Sequence, residues 1–103
     1  MRFIKPINLN EKSFIMDVRL PEERAVEELG LPHVNQDLET LNPQEFIKEN
    51  HIEKNDTINI LCSSGGRASQ AAELFEKAGF NNVAVIIGGL VEAEYEGLPI
   101  IRH

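Results

Sequence analysis

Ile58-Asn59-Ile60-Leu61-Cys62-Ser63-Ser64-Gly65-Gly66-Arg67-Ala68-Ser69 is the stretch that decides the fold. It starts as a short, nearly continuous apolar run rich in β-branched residues, the pattern of a strand buried on both faces. The run ends at the chain's one cysteine. A polar loop with two glycines follows, and then a segment of helical period. Between Gly66 and Gly79, residues Ala68, Ala71, Ala72, Phe75 and Ala78 fall on one face with Leu74 beside it, and Gly79 is a natural helix stop. Ligand sites in open α/β sheets lie beyond the C-terminal ends of strands, which is where this order puts Cys62.

The same alternation extends outward in both directions. Phe14-Ile15-Met16 leading to Val18, and Val83 to Ile87, are two more strand-like runs, and Phe3–Ile7 and His33–Asn35 are weaker ones. Pro21-Glu22-Glu23 places proline and acids in a helix's first turn. Asn42-Pro43-Gln44-Glu45 reads as an N-cap, a proline at the first helical position and a glutamate two residues on. Leu90–Glu96 predicts a last short helix, ended by Gly97 and Pro99. Strands alternating with helices imply an α/β sandwich around a mostly parallel sheet. No repeat or linker divides residues 1–103, so one domain is expected.

Composition narrows the function. Seventeen acids against ten Lys plus Arg give a net charge of −7, which argues against nucleic acid or an anionic membrane as partner. No apolar run approaches the ~20 residues of a membrane span. One cysteine permits no internal disulfide and no cysteine-based zinc site, and a reducing, cytoplasmic location is the default expectation. His33, His51 and His103 show no metal-like spacing, and no cofactor is expected. The acids Glu22-Glu23, Glu27-Glu28 and Glu92, Glu94, Glu96 read as solvated helix faces.

The chemistry therefore concentrates in the cysteine loop. Gly65 and Gly66 allow successive N–H groups to converge on one point, and the first turn of the next helix adds to the positive field. Such a cradle favours thiolate over thiol. Arg67 adds a permanent cation, either contacting substrate or closing the loop, and Ser63 and Ser64 offer hydrogen bonds without charge. A cysteine closing a buried strand is ordinarily a small core hydrophobe. A polar glycine loop directly after it has no packing reason to be there, which points instead to a nucleophile that attacks an electrophilic sulfur, phosphorus or arsenic centre. Asp17 and Arg19, near the end of an earlier strand, read as structural groups beside the site.

At this point the sequence resembles the rhodanese family. Cys62-Ser63-Ser64-Gly65-Gly66-Arg67 is similar to that family's active loop, Cys-x-x-Gly-x-Arg. Asp17-Val18-Arg19 resembles its Asp-Val-Arg signature, and Gly88-Gly89 followed by Gly97-Leu98-Pro99-Ile100 resembles its C-terminal ending. The resemblance implies a central, mostly parallel sheet of about five strands flanked by helices. It also implies sulfur transfer: Cys62 takes a sulfane sulfur from thiosulfate or a protein persulfide and passes it to a thiol or cyanide. Catalysis would rest on Cys62 and Arg67, with Ser63, Ser64, Gly65 and Gly66 binding substrate. The aromatic of the family's terminal helix falls at Ala93, and Glu28–Asn35 stands where a Gly-His-Ile-Pro-Gly-Ala stretch is usual. Ser63 and Ser64 are neutral where many thiosulfate-using members carry a basic side chain, which favours a protein persulfide or a neutral small donor at least equally. Two alternatives remain open: a non-enzymatic sulfur-carrier or interaction module, and a cysteine-based phosphatase or arsenate reductase. Cysteine phosphatases use a longer loop, wide enough for a tetrahedral phosphate.

Overall fold

The computed structural model describes residues 1–64 and 66–103. Five strands form a parallel sheet: β1 (Arg2–Ile4), β2 (Ile15–Asp17), β4 (Val34–Asn35), β5 (Ile58–Leu61) and β6 (Val83–Ile86), in the order β1-β6-β5-β2-β4. β5 is central. Its register aligns Asp17 with Leu61, and Ile60 with Val85, so the C-terminal ends of β2, β5 and β6 form one rim.

Side-chain alternation along these strands builds two cores. On one face Met16, Val18, Ile58, Ile60, Val83 and Val85 meet α2 (Pro43–Glu49) and α3 (Gly66–Lys77) through Phe46, Ala68, Ala71, Ala72 and Phe75. Four phenylalanines, Phe14, Phe46, Phe75 and Phe80, stack edge-to-face along this layer at centroid separations of 6.0, 5.9 and 6.2 Å. On the other face Ile15, Leu61 and Ile86 pack against Leu9, Leu29, and Leu90 and Ala93 of α4 (Gly89–Tyr95).

Local signals explain the helix ends. The Asn42 side chain accepts from the Glu45 N–H at 3.1 Å, capping α2 as its sequence predicts. Past α3, Gly79 takes φ +94° and Phe80 N–H donates to Phe75 C=O at 2.9 Å, the double-bonded stop that glycine permits. Several expectations need correction. Phe3–Ile7 is not one strand; β1 ends at Ile4 and Pro6–Asn8 is a 3-10 turn, because Pro6 cannot donate to a ladder. His33 stands outside β4. The helix begun by Pro21, α1, is only Pro21–Arg24. Glu27-Glu28 is not a helix face: β3 (Glu27–Leu29) pairs antiparallel with β7 (Ile100–Arg102) in a second, two-stranded sheet. No helix among the described residues is long and apolar enough to cross a membrane.

Candidate active site

Cys62 follows β5 directly and continues the alternation of Ile58 and Ile60 toward the α3 side, with 1% of its surface exposed. Its backbone is fixed from the opposite side. Leu90 N–H donates to Cys62 C=O at 2.8 Å, and Val91 N–H donates to Ser63 C=O at 3.3 Å. Both donors are in the first turn of α4, whose orphan N–H groups need acceptors. A trans peptide points its N–H opposite to its C=O. Anchoring these two carbonyls on α4 therefore turns the N–H groups of Ser63 and Ser64 away from α4.

Gly88-Gly89 makes that approach possible. Gly89 has φ +60°, and a Cβ there would sit 2.2 Å from the Cys62 carbonyl oxygen and 2.6 Å from the Ser63 carbonyl carbon. Only glycine fits. The pair lets one helix start against the backbone of the cysteine loop.

Arg67, in the first turn of α3, faces Glu23 of α1. Its Nη1 donates to Oε1 at 2.6 Å and its Nη2 to Oε2 at 2.8 Å, a bidentate pair. Nη2 also donates to Ser63 Oγ at 3.1 Å, and Ser63 Oγ donates to Glu23 Oε2 at 2.8 Å. Glu23 Oε1 reaches back to accept the Leu20 N–H at 3.1 Å. The Arg67 hydrogen bonds hold the Glu23 carboxyl at about 2, well below the usual 4.5, against the opposing effect of burial. Glu23 in turn raises Arg67 above its ordinary value, and the charges of Cys62 and Asp17 add to the rise. Cys62 is thus within electrostatic range of the guanidinium.

Glu23 is the residue that sequence reasoning missed. It was expected on a solvated helix face, yet it ties α1 to the cysteine loop. It lies 44 residues before Arg67, and nothing local in Pro21-Glu22-Glu23 signals a partner so distant.

Asp17 and Arg19 lie beside this network and are buried, at 0% and 2% exposure. Arg19 N–H and Nε–H donate to Asp17 Oδ1 at 2.9 and 3.2 Å, Nη2 reaches Oδ2 at 3.1 Å, and Nη2 also donates to Glu27 C=O at 2.9 Å. The pair satisfies itself and locks the end of β2 to β3. Ser64 is exposed, Ser63 is half-buried, Gly66 opens α3, and the expectation for Gly65 lies outside the described residues. Ala93 is fully buried among Leu9, Ile15 and Leu29, and Tyr95 is 85% exposed, so neither presents an aromatic wall to Cys62. Among the described residues no group of His, Cys, Asp and Glu could hold a metal ion. His33 instead bonds Leu31 C=O and Glu28.

A parallel α/β sheet with a thiol at the tip of its central strand, under the start of a helix, defines a class of cysteine-loop domains. Comparison with known proteins places this one within it. Residues 4–95 match the family model of the rhodanese-like domain, and the chain belongs to that family. It is 34% identical over 92 residues to thiosulfate sulfurtransferase 16, chloroplastic, of Arabidopsis thaliana, covering 82% of this chain and 76% of that one. It is 32% identical over 89 residues to the putative sulfur carrier protein YrkF of Bacillus subtilis, covering 85% of this chain but 45% of that one. Among solved structures, a rhodanese with anions from E. coli superimposes with a TM-score of 0.69 at 27% identity, covering 88% of this chain and 99% of that one.

Proposed function

We propose that this chain is a sulfurtransferase that carries sulfane sulfur as a persulfide on Cys62. The observation that carries the reading is the setting of Cys62: at the end of β5, sheltered from water, between an α4 that anchors the Cys62 and Ser63 carbonyls and an α3 that brings Arg67. In the first half-reaction the Cys62 thiolate attacks the outer sulfur of the donor. The donor's S–S bond breaks, its inner fragment leaves as sulfite or thiolate with the electron pair, and Cys62 holds the sulfur as Cys62–S–S⁻. In the second, an acceptor thiolate or cyanide attacks that outer sulfur and Cys62 is released as thiolate.

The N–H groups of Ser63 and Ser64 and the first turn of α3 stabilise the negative charge in both states. Arg67, paired with Glu23 and Ser63, ties the start of α3 to the cysteine loop. The single cysteine means that an external acceptor completes the cycle and that a reducing, cytoplasmic setting suits the protein. The likeness to a putative sulfur carrier gives a second form of the same reading, in which donor and acceptor are both proteins and turnover with small donors is slow.

Steady-state transfer from thiosulfate, and from a protein persulfide, to cyanide or a thiol tests the proposal. Cys62→Ser is expected to abolish transfer from every donor while leaving the circular dichroism spectrum unchanged. Transfer that survives the substitution, or wild-type protein inert with both donors, overturns it.

A further inference from the structure

We infer that Glu23 sets the donor preference of the Cys62 site: by occupying both Nη groups of Arg67 it disfavours the thiosulfate dianion relative to donors of lower charge, such as a thiol-borne persulfide. The inference rests on the sulfurtransferase reading and deepens it.

Arg67 is within electrostatic range of Cys62 and of Asp17, and Asp17 holds Arg19. Arg19 is buried and paired with Asp17. Arg67 is paired through both terminal nitrogens with both oxygens of Glu23, at 2.6 and 2.8 Å. The Ser63 hydroxyl, a neutral donor next to Cys62 in the chain, is also turned onto Glu23 at 2.8 Å. Two guanidiniums therefore face two carboxylates. Ser63 and Ser64 add no charge, and the thiolate itself brings one negative charge. Among the described residues, both of these guanidiniums are already paired with a carboxylate when a dianion approaches, in a chain of net charge −7. The Glu23 carboxyl stays ionised at every pH near neutrality, since Arg67 holds it far down, so the compensation is permanent. Arg67 is 32% exposed and Glu23 29%, so the pair sits where an incoming donor would sense it.

Removing the Glu23 charge changes the local potential by one unit, and the effect on an incoming ligand scales with that ligand's charge. Arg67 is kept, and Glu23→Gln keeps an oxygen that can accept from it. The Cys62 alkylation rate with iodoacetate, a monoanion, divided by that with iodoacetamide, which is neutral, isolates this effect. Any change in thiolate fraction or in loop opening cancels in the ratio.

We expect Glu23→Gln to raise the ratio about threefold, and the kcat/KM for thiosulfate about tenfold, the square of the monoanion factor. The thiosulfate gain falls mainly in KM. Glu23→Asp, which keeps the charge, stays near the wild-type ratio, and high salt brings Glu23→Gln back toward it. A folded Glu23→Gln protein with an unchanged ratio overturns the inference. So does a Glu23→Asp protein that moves as far as Glu23→Gln, because that marks a structural role. The two readings fail separately. If neither thiosulfate nor cysteine persulfide loads sulfur onto the wild-type protein, the sulfurtransferase proposal falls. The alkylation ratio needs no turnover and still reports whether Glu23 screens Arg67.

Discussion

Replacing Gly89 by alanine tests whether α4 positions the cysteine loop. The new Cβ would lie 2.2 Å from the Cys62 carbonyl oxygen and 2.6 Å from both the carbonyl carbon and oxygen of Ser63, all backbone atoms that cannot rotate away. The start of α4 must retreat. The left-handed conformation at φ +60° costs a Cβ-bearing residue about 1–2 kcal/mol. Retreat also breaks the bonds from Leu90 and Val91 N–H to the Cys62 and Ser63 carbonyls, worth about 1 kcal/mol each. The sum is about 3–4 kcal/mol, a large share of the roughly 5–15 kcal/mol that holds a domain of this size.

Two other glycines calibrate the measurement. Gly97 has φ +90° and nothing within 4 Å of its Cβ position, so Gly97→Ala incurs the backbone term alone, about 1–2 kcal/mol. Gly66, at the start of α3, also has open space there and no positive φ, so Gly66→Ala is near neutral, within about 0.5 kcal/mol. In equilibrium urea unfolding, with a slope of about 1–2 kcal/mol per molar, the Gly89→Ala midpoint should fall by about 2 M relative to wild type. Destabilisation must rank Gly66, Gly97, Gly89. If Gly89→Ala costs no more than Gly97→Ala, the close seating of α4 on the cysteine loop is wrong.

Two further outcomes follow from the buried and half-buried ion pairs. Asp17→Asn leaves the Arg19 charge buried without its partner and should destabilise by about 3–5 kcal/mol in urea unfolding; a loss below about 1 kcal/mol contradicts the closed pair at the end of β2. Glu23→Ala should cost about 1–2 kcal/mol at pH 7, after allowance for solvent around a pair that is nearly one-third exposed. Because the Glu23 carboxyl sits at about 2 when folded against 4.5 unperturbed, this contribution is fully present above pH 4.5 and is lost as pH falls toward 2. The stability difference between wild type and Glu23→Ala, followed by urea unfolding from pH 7 to pH 3, should shrink below pH 4.5; a difference that stays constant contradicts the assignment.

The central sheet was legible because its strands are buried on both faces and write themselves as apolar runs: Ile58–Leu61 and Val83–Ile86 needed no other signal. The helix ends were legible where capping is local, as at Asn42 and Gly79. β3 and β7 escaped notice because each is three residues long and their pairing joins Glu27–Leu29 to a segment more than 70 residues away. Burial of one face did not mark them, since Glu27, Glu28, Ile101 and Arg102 are not buried. At the site, Cys62 directly follows β5 and Arg67 lies in the first turn of the next helix, and so their proximity follows from the sequence. Glu23 reaches them only through the packing of α1 over the rim, and its role is a long-range property. Gly89 stood between: the Gly88-Gly89 pair is visible in the sequence, but the Cys62 carbonyl that requires glycine there is not.

Whether Cys62 holds the sulfur is read directly by intact-protein mass spectrometry after incubation with thiosulfate or cysteine persulfide, followed by peptide mapping. The expected result is a gain of one sulfur atom per chain, located on Cys62, reversed by a thiol and absent from Cys62→Ser. A wild-type protein that gains no sulfur from either donor, or a gain that persists in Cys62→Ser, contradicts it.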